Sequence, residues 1–436
     1  MKTSTQNTLF YLFSGLFLLA LLYLNYKGQQ AINAIPFALV AVYAAIYHLD
    51  KLFLFIVLFT PLSVNIEEFV ANQSIGLFLP TEPLLFGILL LVILNQIRKN
   101  HFDSEFIRHP ITVILIIQIL WIVITAITSE LPMVSFKFLL MKLWFIIPVY
   151  FYGYYFFQKE KNIHYFVWFF IGSLTVVVLY TLANHAANGF DEETGHWVMW
   201  PFFKDHTSYG AILALVYPIF FGVLLGRKNS VLLNMTLIFL IVLFGFAIIM
   251  SYTRAAWASL FGVAVIYLFI RFKVKFKYLA AVGVVGLIYV GMSWTAIQHN
   301  LERNSSEHAT ENMDERLESM TNITTDASNL ERLNRWGCAI RMWEERPVLG
   351  WGPGTYAMVY APFQLSGGKT IISTNSGNRG NAHSEYLGPL SEQGLPGMLI
   401  MITLVGWIIY TGITLYIRMP RSSLRNLLLT MVLGLI

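Results

Sequence analysis

The run "LLNMTLIFLIVLFGFAIIM", residues 232–250, holds no charge and no alternation of apolar with polar positions. Crossing a hydrocarbon core as a helix takes about 17–25 predominantly apolar residues. A chain with many such runs has few folds open to it, because in lipid every backbone polar group must be satisfied internally. A closed β-barrel meets that demand with alternating segments of about ten residues, a pattern these runs lack. The chain therefore reads as an all-α polytopic membrane protein. Its composition agrees: 12% of residues are charged, against about 25% in a soluble domain.

About twelve transmembrane helices are predicted, at roughly 8–26, 31–47, 51–64, 81–97, 111–128, 135–157, 163–182, 208–225, 231–250, 255–271, 278–293 and 396–417. The first run lacks a small-residue cleavage site and reads as a helix rather than a signal peptide. A short apolar run from 424 either tilts into the interface or belongs to a span that the sequence does not complete. With the amino terminus inside, the inner loops carry 16 Lys/Arg and the short outer loops three (Lys27, Lys204 and Arg254). That bias sets the orientation. It also accounts for the net charge of +5 without a nucleic-acid partner. The single cysteine, Cys338, excludes an intramolecular disulfide.

This orientation divides the chain into transmembrane helices over 1–293, one large extracytoplasmic loop over 294–395 and carboxyl-terminal helices over 396–436. The loop holds 12 acidic residues. Its first part is polar and helix-compatible. Its second part is rich in Gly, Pro and Ser with scattered aromatics, as expected of an ordered loop with short helices packed on the membrane domain.

Charges at membrane ends are costly and tend to be functional. Arg254 stands alone in "MSYTRAAW" between two apolar helices, where it either snorkels to the interface or clamps an anion. Lys137 and Lys142 sit at an outer helix start, five apart and so not on one face. In "LERLNRWGCAIRMWEERPVLGWG", Leu333, Trp336, Ile340 and Trp343 suit an amphipathic helix ended by Pro347. Arg332 shares a face with Trp336 and is the stronger anion-binding candidate there, ahead of Arg335 and Arg341. The "GWGPG" turn lacks the Lys-Ser/Thr of a phosphate loop. His383, in "GNAHSEYLGPLSEQGLPG", is either a solvated loop histidine or a base that accepts a hydroxyl proton. In the second case Glu385 or Glu392 is available to orient it. Asp205 and His206 precede a helix that Asp205 or Thr207 is suited to cap. Trp197, Trp200, Phe202 and Phe203 form either an interfacial belt or a sugar platform. No metal is expected: the ten histidines are dispersed, and neither H-E-x-x-H nor D-x-D occurs. No G-x-S-x-G or Cys-His set points to a covalent hydrolase.

Three blocks carry a resemblance. "MSYTRAAWASLFGVAVIYLF", "ERLNRWGCAIRMWEERPVLGWGPGTY" and "NAHSEYLGPLSEQGLPGMLIMI" resemble motifs of the O-antigen ligase and polymerase superfamily of bacterial inner-membrane glycosyltransferases. "WPFFKDHTSYGAILALVYP" is a weaker fourth. The resemblance implies a GT-C-like helical fold and metal-independent, inverting transfer of a glycan from undecaprenyl pyrophosphate, with no cofactor. It assigns the pyrophosphate to Arg254 and Arg332 and acceptor activation to His383. Ser384 departs from the family's usual Asn after the His, and "KDHTSYG" departs from a usually Asn-rich segment.

Three acceptors share these motifs: lipid A–core for a ligase, a second lipid-linked repeat for a polymerase, and a protein Ser/Thr for an oligosaccharyltransferase. The late position of the large loop, with only one or two spans after it, favours the ligase and so a role in lipopolysaccharide assembly. A lipid-linked glycan transporter would instead line a central path with charges from many helices. Here the membrane-embedded charges are few and lie at outer ends.

Overall fold

The computed structural model describes residues 2–27, 33–68, 76–99, 102–226, 229–272, 327–365, 380–420 and 422–435, with Val274 and four isolated positions between 281 and 292. In chain order the helices are α1 (Lys2–Tyr26), α2 (Ala34–Tyr47), α3 (Leu49–Phe59), α4 (Thr81–Lys99), α5 (Ser104–Arg108), α6 (Pro110–Ile127) and α7 (Pro132–Ile146). A π-helical turn, Ile147–Tyr152, with Pro148 at its start, leads into α8 (Gly153–Phe156). A proline has no N–H to offer the previous turn, and insertion of a π turn is one way a helix absorbs that loss. Then follow α9 (Glu160–Ala187), α10 (Glu192–Gly195), α11 (His206–Leu224), α12 (Val231–Met250), α13 (Arg254–Arg271), α14 (Ala327–Glu345), α15 (Tyr356–Val359), α16 (Leu387–Arg418) and α17 (Ser423–Gly434). The described strands are a two-residue pair, β1 (Val64–Asn65) and β2 (Phe78–Leu79), antiparallel with Val64 opposite Leu79.

Seven helices among the described residues are long and apolar enough to cross a membrane: Pro110–Ile127, Pro132–Phe156, Glu160–Ala187, His206–Leu224, Val231–Met250, Arg254–Arg271 and Leu387–Arg418. Along α12 the large apolar side chains Leu232, Met235, Phe239 and Val242 lie exposed, a surface that lipid tails cover without cost and water does not. The protein is a multi-pass helical membrane protein. Four further expected spans are apolar helices of 10–17 residues: Ser14–Tyr26, Ile35–Tyr47, Thr81–Ile97 and Ser423–Gly434. The span expected at 51–64 is the shorter α3, which gives way to a turn and β1. Of the span expected at 278–293 only four isolated positions are described, and residues 294–326 and 366–379 of the large loop lie outside the described residues.

The chain forms two compact units. The first comprises Met1–Lys99 and Trp144–Leu174. Its core joins Leu52, Phe53, Ile56 and Val57 of α3 to Leu85 and Ile88 of α4 and to Tyr152 and Phe156. The Tyr152 hydroxyl donates to Asp50, so the one acid of α3 has a partner.

The second unit, Asn100–Leu143 with Thr175–Ile436, holds every candidate site residue. Here α6 and α14 pack on α16, and α12, α13 and α17 pack on α11. The terminal apolar run, α17, lies against α11 with Leu427, Leu429, Val432 and Leu433 buried, and its Asn426 side chain donates to the Leu225 carbonyl. This short helix finds apolar partners within the protein. The α16 helix starts nine residues earlier than the predicted span, and its backbone leaves helical geometry at Gly394, ahead of Pro396.

Candidate active site

The sequence dictates a break after α14. Pro347 restricts Arg346 away from helical geometry, and the helix ends at Glu345. The following stretch, "RPVLGWGPGTY", folds back onto the first turns of α16 through backbone pairing. Trp351 N–H donates to the Ser391 carbonyl at 3.1 Å, Gly352 N–H to the Glu392 carbonyl at 2.8 Å, and Leu395 N–H to the Pro347 carbonyl at 2.9 Å. Such an approach leaves no room for side chains at two positions. A Cβ on Gly350 would lie 2.4 Å from the Glu392 carbonyl carbon, and one on Gly394 would lie 2.1 Å from the Val348 oxygen. Both glycines also have positive φ, 65° and 70°, a region other residues enter only at a cost. The helical segments α6 and α7 hold the far side: Trp121 donates to the Gln393 carbonyl, Ser135 to the Pro353 carbonyl, and Glu130 N–H to the Trp351 carbonyl. Arg346 pairs with Glu130 at 2.8 Å while stacking on the Trp351 ring at 3.9 Å.

Glu392 belongs to this latch. Its two carboxylate oxygens accept from Gly354 N–H at 2.9 Å and Tyr356 N–H at 3.0 Å. It does not orient His383. Glu385 lies exposed, with no hydrogen bond to His383 among the described residues. Lys142 sits over the Phe138 ring, and its charge acts on Glu392, so its place is beside the latch.

The partner of His383 is Arg335. Its Nη1 lies 2.7 Å from His383 Nε2, while its Nε donates to Glu331 at 2.8 Å. Both members of this i,i+4 ion pair are buried, Glu331 at 3% and Arg335 at 8% exposure. The Tyr356 hydroxyl anchors the same turn by donating to the Arg335 carbonyl at 2.7 Å. The buried face of α14 thus runs through Glu331, Asn334, Arg335, Cys338, Ala339 and Met342. This corrects the face expected from Arg332, Trp336 and Ile340, since Trp336 and Ile340 are exposed and Arg332 only half-buried. Hydrophobicity alone misassigns the face because the buried one is lined by a polar network. The signal that pointed to it was the Glu331–Arg335 spacing.

His383 lies four residues before α16 rather than at its start. Its φ of 45° places a non-glycine residue in the left-handed region, a strained state that recurs at functional sites. The Asn381 side chain accepts from His383 N–H at 3.1 Å, and the Ser384 hydroxyl accepts from Leu387 N–H at 3.1 Å. An arginine has only donors, so the Arg335 contact requires a lone pair on Nε2 and leaves the ring proton on Nδ1. Partial burial lowers the imidazole below its ordinary value, and the charges of Arg335 and Arg332 add to this against Glu331 and Asp205.

A second cluster surrounds Arg254, the first residue of α13. Thr253 does not cap its own helix, because its hydroxyl donates to the His206 carbonyl at 2.8 Å. Tyr252, with φ 51°, reaches across to the Phe190 carbonyl at 2.9 Å. The "SYTR" turn is thereby fixed to the loop before α11. Asp205 caps α11 through Ser208 N–H at 2.8 Å and also accepts from the Thr207 hydroxyl. Burial pushes its carboxyl up, but the bonds from Thr207 and Ser208 outweigh this and hold it below the usual range. His206 stacks on His196 with ring centres 4.2 Å apart, and the Arg254 charge acts on His206. Asp205 acts electrostatically on both His206 and His383, which ties the two clusters into one field.

Arg254 at a helix start, Arg332 and Arg335 along α14, a neutral imidazole and apolar helices define a multi-pass membrane protein with a site suited to an anionic substrate. Residues 238–402 match the family model described as O-antigen ligase. That stretch, similar to the family's own, includes Arg254, Arg332, Arg335 and His383. The family supports glycosyltransferase activity of the O-antigen ligase type, with a lipid-linked glycan and an acceptor as partners in general. No curated protein matches the chain.

Proposed function

We propose that this protein is a metal-independent, inverting glycosyltransferase of the bacterial inner membrane that works on the periplasmic face. Its donor is a glycan on undecaprenyl pyrophosphate, and its acceptor is a hydroxyl of the lipid A–core oligosaccharide, as in lipopolysaccharide assembly. The large loop between residues 294 and 395 is the catalytic segment in this reading. The observation that carries it is His383: a strained, neutral imidazole with its Nε2 lone pair retained, set among arginines.

The acceptor oxygen attacks the anomeric carbon from the side opposite the diphosphate. The bond from that carbon to the phosphate oxygen breaks, and its electron pair leaves with undecaprenyl diphosphate. His383 Nε2 takes the acceptor's proton. Arg254 and Arg332 hold the diphosphate and stabilise the charge that develops on it, a role for which positioned cations are typically worth several orders of magnitude. Asp205 and His206 hold the turn that carries Arg254 rather than reacting themselves.

A second lipid-linked repeat or a protein hydroxyl would use the same machinery. Reconstitution of the purified protein with lipid-linked glycan, offered each acceptor separately, decides among the three. Glycosylated lipid A–core is the expected product, and transfer only to a second donor or to a protein would overturn the ligase assignment. Transfer is expected to persist in EDTA. Loss of activity restored by Mg²⁺ or Mn²⁺ would sink metal independence.

A further inference from the structure

The proposed transfer needs the Nε2 lone pair of His383, yet in the structure that lone pair is already engaged by Arg335 at 2.7 Å. A base capped in this way cannot take a proton from a hydroxyl. The cap is built rather than incidental. Arg335 is buried, its Nε is fixed by Glu331, and its backbone carbonyl is fixed by Tyr356. Gly380, three residues before the histidine, lies against the guanidinium so closely that a Cβ there would come within 3.1 Å of its central carbon. The charged groups acting on His383 are Arg335 and Arg332 on one side of the balance and Glu331 and Asp205 on the other. Of these, Arg335 is the one shown bonded to the imidazole.

Arg335 is the side chain in this set that a diphosphate would redirect. Its bond to His383 joins a cation to a neutral acceptor. A phosphate oxygen offers an anion and a bidentate fit, and bonds charged on both sides are roughly twice as strong as neutral ones. We propose that Arg335 masks His383 in the donor-free protein, and that the donor's diphosphate draws Nη1 away and frees Nε2 for the acceptor hydroxyl. This rests on the assignment of His383 as the base and makes Arg335 a positioning residue. Binding is then ordered, donor before acceptor, and the base is exposed only when there is something to transfer.

The test reads the mask directly. Diethylpyrocarbonate acylates an unprotonated imidazole nitrogen whose lone pair is free, and the modified His383 peptide can be quantified by mass spectrometry on the full-length membrane protein. Acylation is expected to be slow without ligand and to rise at least about tenfold, the change that loss of one strong hydrogen bond produces, on adding undecaprenyl diphosphate. Arg335→Lys retains a charge for Glu331 but loses the fork. It should acylate fast with or without the diphosphate. If that variant does not fold, Glu331→Gln with Arg335→Gln removes both buried charges together and should give the same fast rate. A slow rate in an unmasked variant would overturn the mask, and a wild-type rate insensitive to undecaprenyl diphosphate would overturn its coupling to the donor.

Failure of the base assignment looks different. Glycan transfer at the wild-type rate by His383→Ala would remove His383 from the chemistry while leaving the acylation pattern intact. Flat acylation beside an inactive His383→Ala would leave the base and remove the mask.

Discussion

Two stretches of the same block, "GNAHSEY" and "GPLSEQGLPG", are separated by Leu387 alone and do opposite things. In the second, the glycine at 394 meets the backbone of the loop after α14, and the carboxylate of Glu392 serves two amides of that loop. In the first, a histidine occupies the left-handed region that a glycine would fill without strain, and its ring nitrogen faces a guanidinium. One stretch closes a backbone latch; the other sets a strained histidine against Arg335. Polar residues crowded against a membrane helix are therefore not one site, and Glu392 and the histidine have separate partners.

The largest separation of the two is expected on activity. His383→Ala should reduce glycan transfer roughly 10²–10⁴-fold, the usual contribution of a positioned base. Its thermal unfolding should fall only slightly, because the latch does not touch the ring and the loss is one hydrogen bond from Arg335. Gly394→Ala should do the reverse. Its Cβ would sit 2.1 Å from the Val348 oxygen at a φ of 70°, and steric overlap with backbone strain together cost on the order of 3 kcal/mol. Folded protein should fall sharply, while transfer per folded molecule holds. Gly388→Ala, where a Cβ meets nothing within 4 Å, is the control and should leave stability unchanged or slightly raised. Equal losses at positions 388 and 394, in a melting assay, would break the latch description.

Glu392→Gln sharpens the same contrast on a smaller scale. The amide keeps one acceptor oxygen and turns its NH2 toward a backbone N–H that then has no acceptor, at a cost of about 1–3 kcal/mol. The melting temperature should drop with little change in transfer by the folded fraction. A variant that melts like wild type but loses transfer would move Glu392 into the chemistry.

Most of the architecture was legible in the sequence because lipid imposes a coarse rule. Length and apolarity place α6, α9, α11, α12 and α13 within a few residues of their observed ends. The rule says less where apolar helices are short, as in α3 and α17, because length alone no longer marks a span. Arg254 and His383 were legible as isolated polar residues beside apolar helices. The buried face of α14 was not, because periodicity counts apolar residues and this face is built on Glu331, Asn334 and Arg335. The role of Glu392 was hidden for a different reason: its partners are two backbone amides 36 and 38 positions away, and no side-chain pattern announces a backbone partner.

The smallest expected effect is on the pH profile, and it tests whether the first stretch belongs to one electrostatic field. Partial burial and the charges of Arg335 and Arg332 lower His383 below its ordinary value of about 6.5. The neutral, base-competent ring therefore persists to lower pH, and the acid limb of transfer should fall below pH 6.5. The linkage has the same sign: between the two values the unfolded chain binds the proton and the folded one does not, so stability decreases as pH falls through that window. Removing one cation weakens the depression. In Arg332→Ala, the acid limb of kcat/KM for the donor, which reports the donor-free protein, should move up toward the free imidazole. Under the proposed role of Arg332 the rate itself also drops, so the midpoint is the quantity to compare. A midpoint that stays fixed, or moves down, would mean that Arg332 does not act on His383, and the histidine would then answer to Arg335 alone among the arginines of α14.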